Sequence, residues 1–427
     1  MRPSHPLITA LATIVLGMPA ELLADAPCGV RLCSVGESSW CFRAVAREGK
    51  SSDRQLLTFL RTNPGASLAC LREQVDQAGG TIREIGEAYS GIIGGDVKPD
   101  NVDIVRVARA GDWQIGLIDL DDGGEGSLFL DLLHTLVYDA IWNPSLDLPD
   151  ALDAYRLGLA NEDLRGVPTL KAILGEQRRS ARSCRDVERR WARDLNQGRI
   201  RRLADAPRAV SEVYDGPTFE RELQRLLAGE RDAAGPKARL SIEDQGFSRK
   251  ESSGGSLCVP RFVYRVRLAG GSDGSGERCE IVEFKQQTRP AAAATSPSHA
   301  AGADHRQRLA ALNRHYRPLV DGDAAKADPG NVIGVVDVAG QSFLVRYARP
   351  ELFDSGEASR KDALAYAKRM FHWLGQVHAA QGPEYAKRLD TALDDPKVVG
   401  GVRRIIQAHV AYLERLAQRG AAYRCPD

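Results

Sequence analysis

One short polar segment constrains this chain more than any other. Gly94-Gly95-Asp96-Val97-Lys98-Pro99-Asp100-Asn101 has the composition of a loop, and eighteen residues after Asn101 the group Asp119-Leu120-Asp121-Asp122 closes an apolar run. Between them, Val102 to Val107 and Ile115 to Ile118 flank the turn Ala110-Gly111-Asp112, a pattern that predicts a β-hairpin. Carboxylates gain nothing from packing at a strand end, so this acidic group asks for a chemical reason.

Phosphoryl transfer supplies one. It asks little covalent work of a protein, needing a carboxylate to accept the nucleophile's proton and oxygen ligands to hold magnesium against phosphates. Asp96 is the candidate base, Lys98 a cation beside the transferring group, and Asn101, five residues after the base, a magnesium ligand. Asp119 and Asp121 offer carboxylates to the same metal. A calcium loop over Asp119 to Leu130 is excluded, because Gly123 and Leu130 occupy positions five and twelve, where calcium needs oxygen. Taken by itself, the loop has an alternative reading as an ordinary Pro/Asp/Asn turn.

The surroundings change period along the chain. From Asp53 to Tyr89 apolar residues recur every three to four positions, as they do from Leu128 to Ile141 and onward to about Leu227, predicting helices. Ala228 to Ala238 reads as a linker. Beyond it, Phe262 to Leu268 alternates, and a Gly/Ser turn leads to a second strand, Glu280 to Phe284. Pro290 to Ala303 is a low-complexity loop expected to be mobile. A helix from about Asp304 to Tyr316, strands at Val332 to Val338 and Ser342 to Tyr347, and a helical stretch from Ala358 to Tyr423 complete the chain. Met370, Leu374, Val377 and His378 share one face of that stretch. Ser252-Ser253-Gly254-Gly255-Ser256 precedes the first strand, and Lys285 ends the second. Small residues there let backbone amides approach phosphates, and the lysine can pair with them.

These residues carry a resemblance. Asp96 to Asn101 resembles the D-L-K-P-E-N catalytic loop of protein kinases, with Gly94-Gly95 before the aspartate as in aminoglycoside-phosphotransferase-like enzymes. Asp119-Leu120-Asp121 stands where D-F-G would be, and Ile281 to Lys285 resembles V-A-I-K. Leu374-Gly375-Gln376-Val377-His378 resembles the L-x-x-L-H helix end that in kinases runs into the catalytic loop. Here the loop comes early and the strands and helix late, an order that resembles a circular permutation. The order is similar to that of the bacterial family labelled domain of unknown function 2252, with its G-D-x-H-x-x-N, D-F-D-E, G-S-x-G, Q-V-K-E-A and A-H-A motifs. The counterparts are Gly95 to Asn101, Asp119 to Asp122, Gly254 to Phe284 with Lys285, Arg346, and Val377 to Ala379. Lys98 replaces that family's histidine, Gln286 stands where an acid is usual, and Leu257-Cys258 interrupts the glycine loop. The resemblance implies an α+β, bilobal protein-kinase-like fold in circularly permuted order, with a small antiparallel β-sheet lobe and a larger helical lobe. It implies ATP and magnesium as cofactors. Asp96 and Lys98 would be catalytic, Gly254, Gly255, Ser256, Lys285 and Arg346 would hold the nucleotide, and Asn101, Asp119 and Asp121 the metal. The substrate, a small molecule or a protein, is not visible. A catalytically inactive exported binding module and adenylyl transfer on the same scaffold are the alternatives.

Lys and Arg number 58 against 57 Asp and Glu, so no global charge field recruits nucleic acid and function rests on a site. The apolar run Leu7 to Met18 and the small residues Ala24-Asp25-Ala26 fit a signal peptide over residues 1–26, with the mature chain starting at Pro27. That places the protein in the periplasm or outside the cell, or in the cytoplasm if the start is misread. No other segment approaches the roughly 18 uninterrupted apolar residues of a membrane span. All eight cysteines follow the cleavage point, which permits disulfides without fixing their pairing. The expected organisation is a helical segment over 27–90, the catalytic-loop and metal part over 91–238, the sheet lobe over 239–350 and C-terminal helices over 351–427. The Arg-rich stretch 178–202 reads as a solvated, salt-bridged helix face. Asp131 and His134 are expected to hold the loop, and His378 to carry no chemistry.

Overall fold

The structure, a computed structural model, describes residues 60, 64–99, 101–106, 113–143, 146–174, 183–206, 208–233, 239–248, 259–269, 277–287, 290–294, 305–316, 332–348 and 358–418. The expected leader 1–26, the 110–112 turn and the Gly254-Gly255-Ser256 loop lie outside these residues.

The chain opens with helices α1 (Pro64–Ala78) and α2 (Gly80–Ala88) and then makes two antiparallel ribbons, one nested in the other. Strands β2 (Val102–Arg106) and β3 (Trp113–Leu117) form the inner hairpin, with Val102 opposite Leu117. Strands β1 (Ser90–Ile93) and β4 (Gly124–Ser127) form the outer ribbon, with Ile93 opposite Gly124. Nesting has a geometric consequence. The 94–101 connection leaves β1 for β2 and the 118–123 connection returns from β3 to β4, so both must emerge at the same end, side by side. Ile118 N donates to the Asn101 carbonyl at 2.8 Å and closes the seam between them.

Ser127 then caps α3 (Leu128–Trp142), accepting from Leu130 N. Nearly every residue of this helix is buried, as its almost unbroken apolar sequence requires. Helices α4 (Leu148–Leu159), α5 (Leu170–Leu174) and α6 (Cys184–Asn196) follow, then α7 (Arg208–Ser211), α8 (Gly216–Leu226) and α9 (Ala228–Ala233). A five-stranded antiparallel sheet comes next, built from β5 (Arg239–Ser248), β6 (Arg261–Ala269), β7 (Arg278–Gln286), β8 (Val332–Val338) and β9 (Gln341–Tyr347). Its order is β5-β6-β7-β9-β8, and α10 (His305–Tyr316) lies in sequence between β7 and β8. The chain ends in α11 (Arg360–Gln381), α12 (Pro383–Leu393) and α13 (Pro396–Gln418). The fold is mixed α/β with small antiparallel sheets, and no described helix is long and apolar enough to cross a membrane.

Two main cores hold it together. The larger draws on both ends of the chain: Leu68 and Leu71 from α1 and Phe129, Leu132 and Leu133 from α3 pack with Tyr366, Phe371 and Leu374 from α11 and Val402 from α13. Helices α4 and α11 approach backbone to backbone because Gly158 and Gly375 face each other there. A Cβ on either would overlap a carbonyl of the opposite helix. The second core lies under the five-stranded sheet, where Phe219 of α8 sits 4.8 to 5.0 Å, ring centre to ring centre, from Phe262, Phe284 and Phe343. Phe219 is fully buried, and its truncation to Ala would cost about 3–5 kcal/mol. On the other face of the sheet, Val187 and Trp191 of α6 pack on Val263 and Ile281, and a disulfide joins Cys184 to Cys279.

Three sequence expectations need correction. Ala228 to Ala233 is helix rather than linker; its one glycine is outweighed by the alanines and charged helix formers around it. Strand β5 was unforeseen, since its inward residues Leu240 and Ile242 are only half-buried and its register shifts between Ile242 and Asp244. Residues 291–294, expected in a mobile loop, form a short 3-10 turn in which Ala291 and Ala292 are buried and Ala292 N donates to the Asp122 carbonyl at 2.9 Å. Alanine is small enough to be buried against the acidic turn.

Candidate functional site

The 94–101 loop is held from below by one carboxylate. Asp131, on the first turn of α3 and fully buried, accepts from Gly94 N at 3.1 Å and Gly95 N at 2.9 Å, from the Tyr316 hydroxyl at 2.8 Å and from His378 Nε2 at 3.4 Å. Burial alone would push this carboxyl up; the His378 hydrogen bond and charge, with Tyr316 and Gly94 donating, hold it below the ordinary range. His378 Nδ1 in turn meets the Tyr155 hydroxyl at 2.7 Å. These contacts fulfil the loop-holding role expected of Asp131 and the core role expected of His378. His134, one turn further along α3, is fully buried with neither ring nitrogen hydrogen-bonded among the described residues, so it does not hold the loop by a hydrogen bond as expected, and desolvation pushes its imidazole down.

Gly95 takes φ 72°, a conformation glycine adopts at little cost. A Cβ here would also overlap the Asp122 carbonyl, so the loop rests directly on the acidic turn. Beyond it, Lys98 and Asp96 form a buried ion pair through Oδ2. Asn101 Nδ2 donates to that oxygen and to the Asp96 carbonyl, both at 2.9 Å. Asp96 Oδ1 is buried and has no hydrogen-bond partner among the described residues.

The 118–123 turn is held with the opposite polarity. Arg308 of α10, 7% exposed, donates through Nη1 to the carbonyls of Leu120, Asp121 and Gly123 at 3.1, 2.8 and 2.8 Å, and through Nη2 to Gln287 Oε1 at 2.9 Å. Held this way, Asp119 and Asp121 face β7. Lys285 Nζ sits 3.1 Å from both Asp119 oxygens and also pairs with Asp121. Arg346 of β9 lies 3.4 Å from Asp119 and 3.0 Å from Glu283, and Glu283 pairs with Arg261 at 3.1 Å. Three carboxylates thus meet three cations on one sheet face, because Glu283 and Lys285 alternate along β7 and Arg261 and Arg346 stand opposite them in register.

The electrostatics divide the turn. Desolvation acts to raise Asp119, but Lys285, Arg346 and Arg261 more than offset it and hold that carboxyl far below the usual range. Asp122, three residues on, is pushed up to about 8 by desolvation and by the Asp96 and Asp119 charges. Lys285 is pushed down to about 8 by desolvation, against the pull of Asp119. Glu283 stays low despite its burial because of the flanking arginines.

The structure therefore brings Asp96, Lys98, Asn101, Asp119, Asp121, Lys285 and Arg346 into one cluster. Gly254, Gly255 and Ser256 are not among the described residues. Sequence reasoning missed Arg308, Tyr316, Arg261 and Glu283. The period of two along β7 carried a signal for Glu283, and the spacing of four between Arg308, Leu312 and Tyr316 carried one for α10.

Among the described residues no group of three or more His, Cys, Asp and Glu side chains gathers as a metal cage. Two carboxylates with an amide fit magnesium carried on a polyphosphate, which takes one or two protein carboxylates and fills its shell with phosphate and water. Asp96 Oδ1 has no hydrogen-bond partner among the described residues, and desolvation with the Asp96 and Asp119 charges raises Asp122; a cation bound there would relieve both. Comparison with known protein families, curated proteins and solved structures finds no match to this chain.

Proposed function

We propose that this chain is an ATP-dependent phosphotransferase with a bilobal protein-kinase-like fold whose segments run in circularly permuted order. The observation that carries the reading is the 3.1 Å contact between Lys285 and Asp119, side chains 166 residues apart. A strand lysine beside a metal aspartate is the arrangement phosphoryl transfer uses, and no local feature of either segment requires it. The larger core, drawn from both ends of the chain, and the separate core under the sheet support two lobes.

Asn101, Asp119 and Asp121 would hold magnesium, and Lys285 and Arg346 the phosphates. Bound magnesium-ATP supplies the transferable phosphoryl group and neutralises the charge on it. The chain's own residues do the rest. Asp96 accepts the acceptor's proton through Oδ1, the oxygen no protein group occupies. Lys98 holds Oδ2 and so fixes the orientation of Asp96. Lys285 must give up Asp121 for phosphate, which makes nucleotide binding an exchange of ion pairs in a desolvated site. Export through the 1–26 leader is part of the proposal, and the Cys184 to Cys279 disulfide supports an oxidising compartment.

A second reading, an exported pseudokinase acting as a binding module, draws on one observation. Asp96 and Lys285 are each 2% exposed and already paired, a closed arrangement that need not open for catalysis. One experiment separates the readings: the mature chain with ATP labelled at the α or γ phosphate and magnesium, beside Asp96→Ala and Asp119→Ala. Transfer of γ label that both substitutions abolish is the expected result. Binding without transfer selects the module, α-label transfer selects adenylylation, and a wild type that neither binds nor turns over ATP overturns the enzyme.

A further inference from the structure

Arg308, Leu312 and Tyr316 recur every four residues along α10 and therefore share one face. Each meets a different part of the cluster. Arg308 gathers the carbonyls of Leu120, Asp121 and Gly123. Leu312 packs so closely on Gly123 that a Cβ there would overlap it. Tyr316 donates to Asp131 at 2.8 Å, the carboxylate that carries Gly94 N and Gly95 N. Three carbonyl oxygens converging on one point repel each other unless a buried cation with several donors holds them, and a planar guanidinium meets that need where a single ammonium does not. One helix face thus grips the acidic turn by its carbonyls at one end and reaches the Asp96 loop through Asp131 at the other.

We propose that α10 sets the spacing between the loop carrying Asp96 and the turn carrying Asp119 and Asp121, with Arg308 and Tyr316 as positioning residues. The proposal rests on the phosphotransferase reading for its catalytic meaning, but its geometry can be tested without it. Arg308 acts on the metal side of the site, so its loss weakens magnesium-ATP binding. Tyr316 acts through Asp131 on the base loop, so its loss lowers turnover and leaves nucleotide affinity nearly unchanged.

The test uses the full chain with Arg308→Met, Arg308→Lys and Tyr316→Phe. In the unliganded protein, amide exchange at Gly94 and Gly95 should accelerate about tenfold or more in Tyr316→Phe and stay at the wild-type rate in Arg308→Lys. By calorimetry, magnesium-ATP affinity should fall roughly 10- to 100-fold in Arg308→Met and by less in Arg308→Lys, while Tyr316→Phe shifts kcat alone. If Arg308→Met does not fold, the lysine and phenylalanine variants carry the test. Wild-type exchange, affinity and turnover in all folded variants would overturn the proposal and leave the phosphotransferase reading standing. A wild type that does not bind magnesium-ATP removes that reading, and the exchange rates then decide whether α10 positions the loop.

Discussion

The 94–101 loop and the 118–123 turn lie side by side and are held by opposite means. The loop offers two amide N–H groups to a buried carboxylate, Asp131; the turn offers three carbonyls to a buried guanidinium, Arg308. A backbone segment with no regular structure needs such a partner, because unsatisfied buried amides and carbonyls each cost on the order of a hydrogen bond. The difference lies in where the partner comes from. Asp131 follows the loop by fewer than forty residues on the helix that the ribbons lead into, whereas Arg308 comes from 185 to 188 residues away. The loop's direct partner is thus local, although Tyr316 and His378 complete it from 185 and 247 residues away, whereas the turn's direct partner comes only from α10.

The sharpest way to break this comparison is Asp131→Asn, which keeps volume but turns an NH₂ group toward donors. Four hydrogen bonds converge on this fully buried carboxylate, so the substitution should destabilise the chain by about 4–5 kcal/mol. Chemical denaturation measures it, and a loss under about 1 kcal/mol would mean that the loop does not depend on Asp131. Next is Gly95→Ala, which attacks the place where loop and turn touch. A methyl group at φ 72° meets the Asp122 carbonyl, and the expected loss is about 3–4 kcal/mol. It should also separate Asp96 from Asp119, so any transferase activity falls more steeply than stability does. An Ala variant as active as wild type would show that the two segments work independently.

The same contrast explains what the sequence made legible. Asp96, Lys98 and Asn101 interact within five residues, so their chemistry and their spacing are written together. The inner hairpin follows from the apolar runs at Val102 and Ile115, whereas the outer ribbon, whose β4 reads Gly-Glu-Gly-Ser, was not foreseen. Lys285 was legible because a strand that ends in a lysine is a recognisable pattern. Its contact with Asp119 depends on how the sheet docks. Arg308 was not read, because in an arginine-rich chain only its place on the face of Leu312 and Tyr316 separates this buried guanidinium from the exposed Arg306 two residues before it. Strand β5 escaped because its alternation is shallow and interrupted, and α9 because Gly229, Gly235 and Pro236 were read as one linker signal although the alanines, Glu230 and Arg231 favour a helix before them.

A control for the comparison lies in the sheet. Cys184→Ser removes a link between residues 95 apart and should cost about 3 kcal/mol in oxidising buffer and nothing in reducing buffer. Cys279 shares the face of β7 that carries Glu283 and Lys285, but Gly94 and Gly95 are held by Asp131 of α3 rather than by the sheet, so their amide exchange should not change. If it does, the loop depends on the sheet as well as on Asp131.

The smallest effect concerns the difference between Asp131, whose partners are complete, and the histidines near it, whose partners are not. His409 meets Ser67 through Nε2 at 2.9 Å, but its Nδ1 is buried without a partner, and His134 lacks partners at both nitrogens. Desolvation, with His134 nearby, pushes His409 down to about 3. A folded value below the unfolded one of about 6.5 means that the unfolded chain takes up a proton the folded chain refuses. Stability is therefore intact above pH 6.5 and is lost as the pH falls toward 3, by about 2 kcal/mol at pH 5. The depressed Asp131 works in the same direction, but its contribution is lost only as the pH falls below the unfolded carboxylate value of about 4. Asp122, pushed up to about 8, and Asp139, raised by burial, act with the opposite sign over the window from pH 6.5 to 4, because the folded chain keeps protons that the unfolded carboxylates have lost. Only a comparison of variants therefore isolates His409. Denaturation midpoints of His409→Gln, which cannot titrate, should rise relative to the wild type as the pH falls from 6.5 to 4; parallel slopes in the two proteins would remove His409 as a titrating contributor.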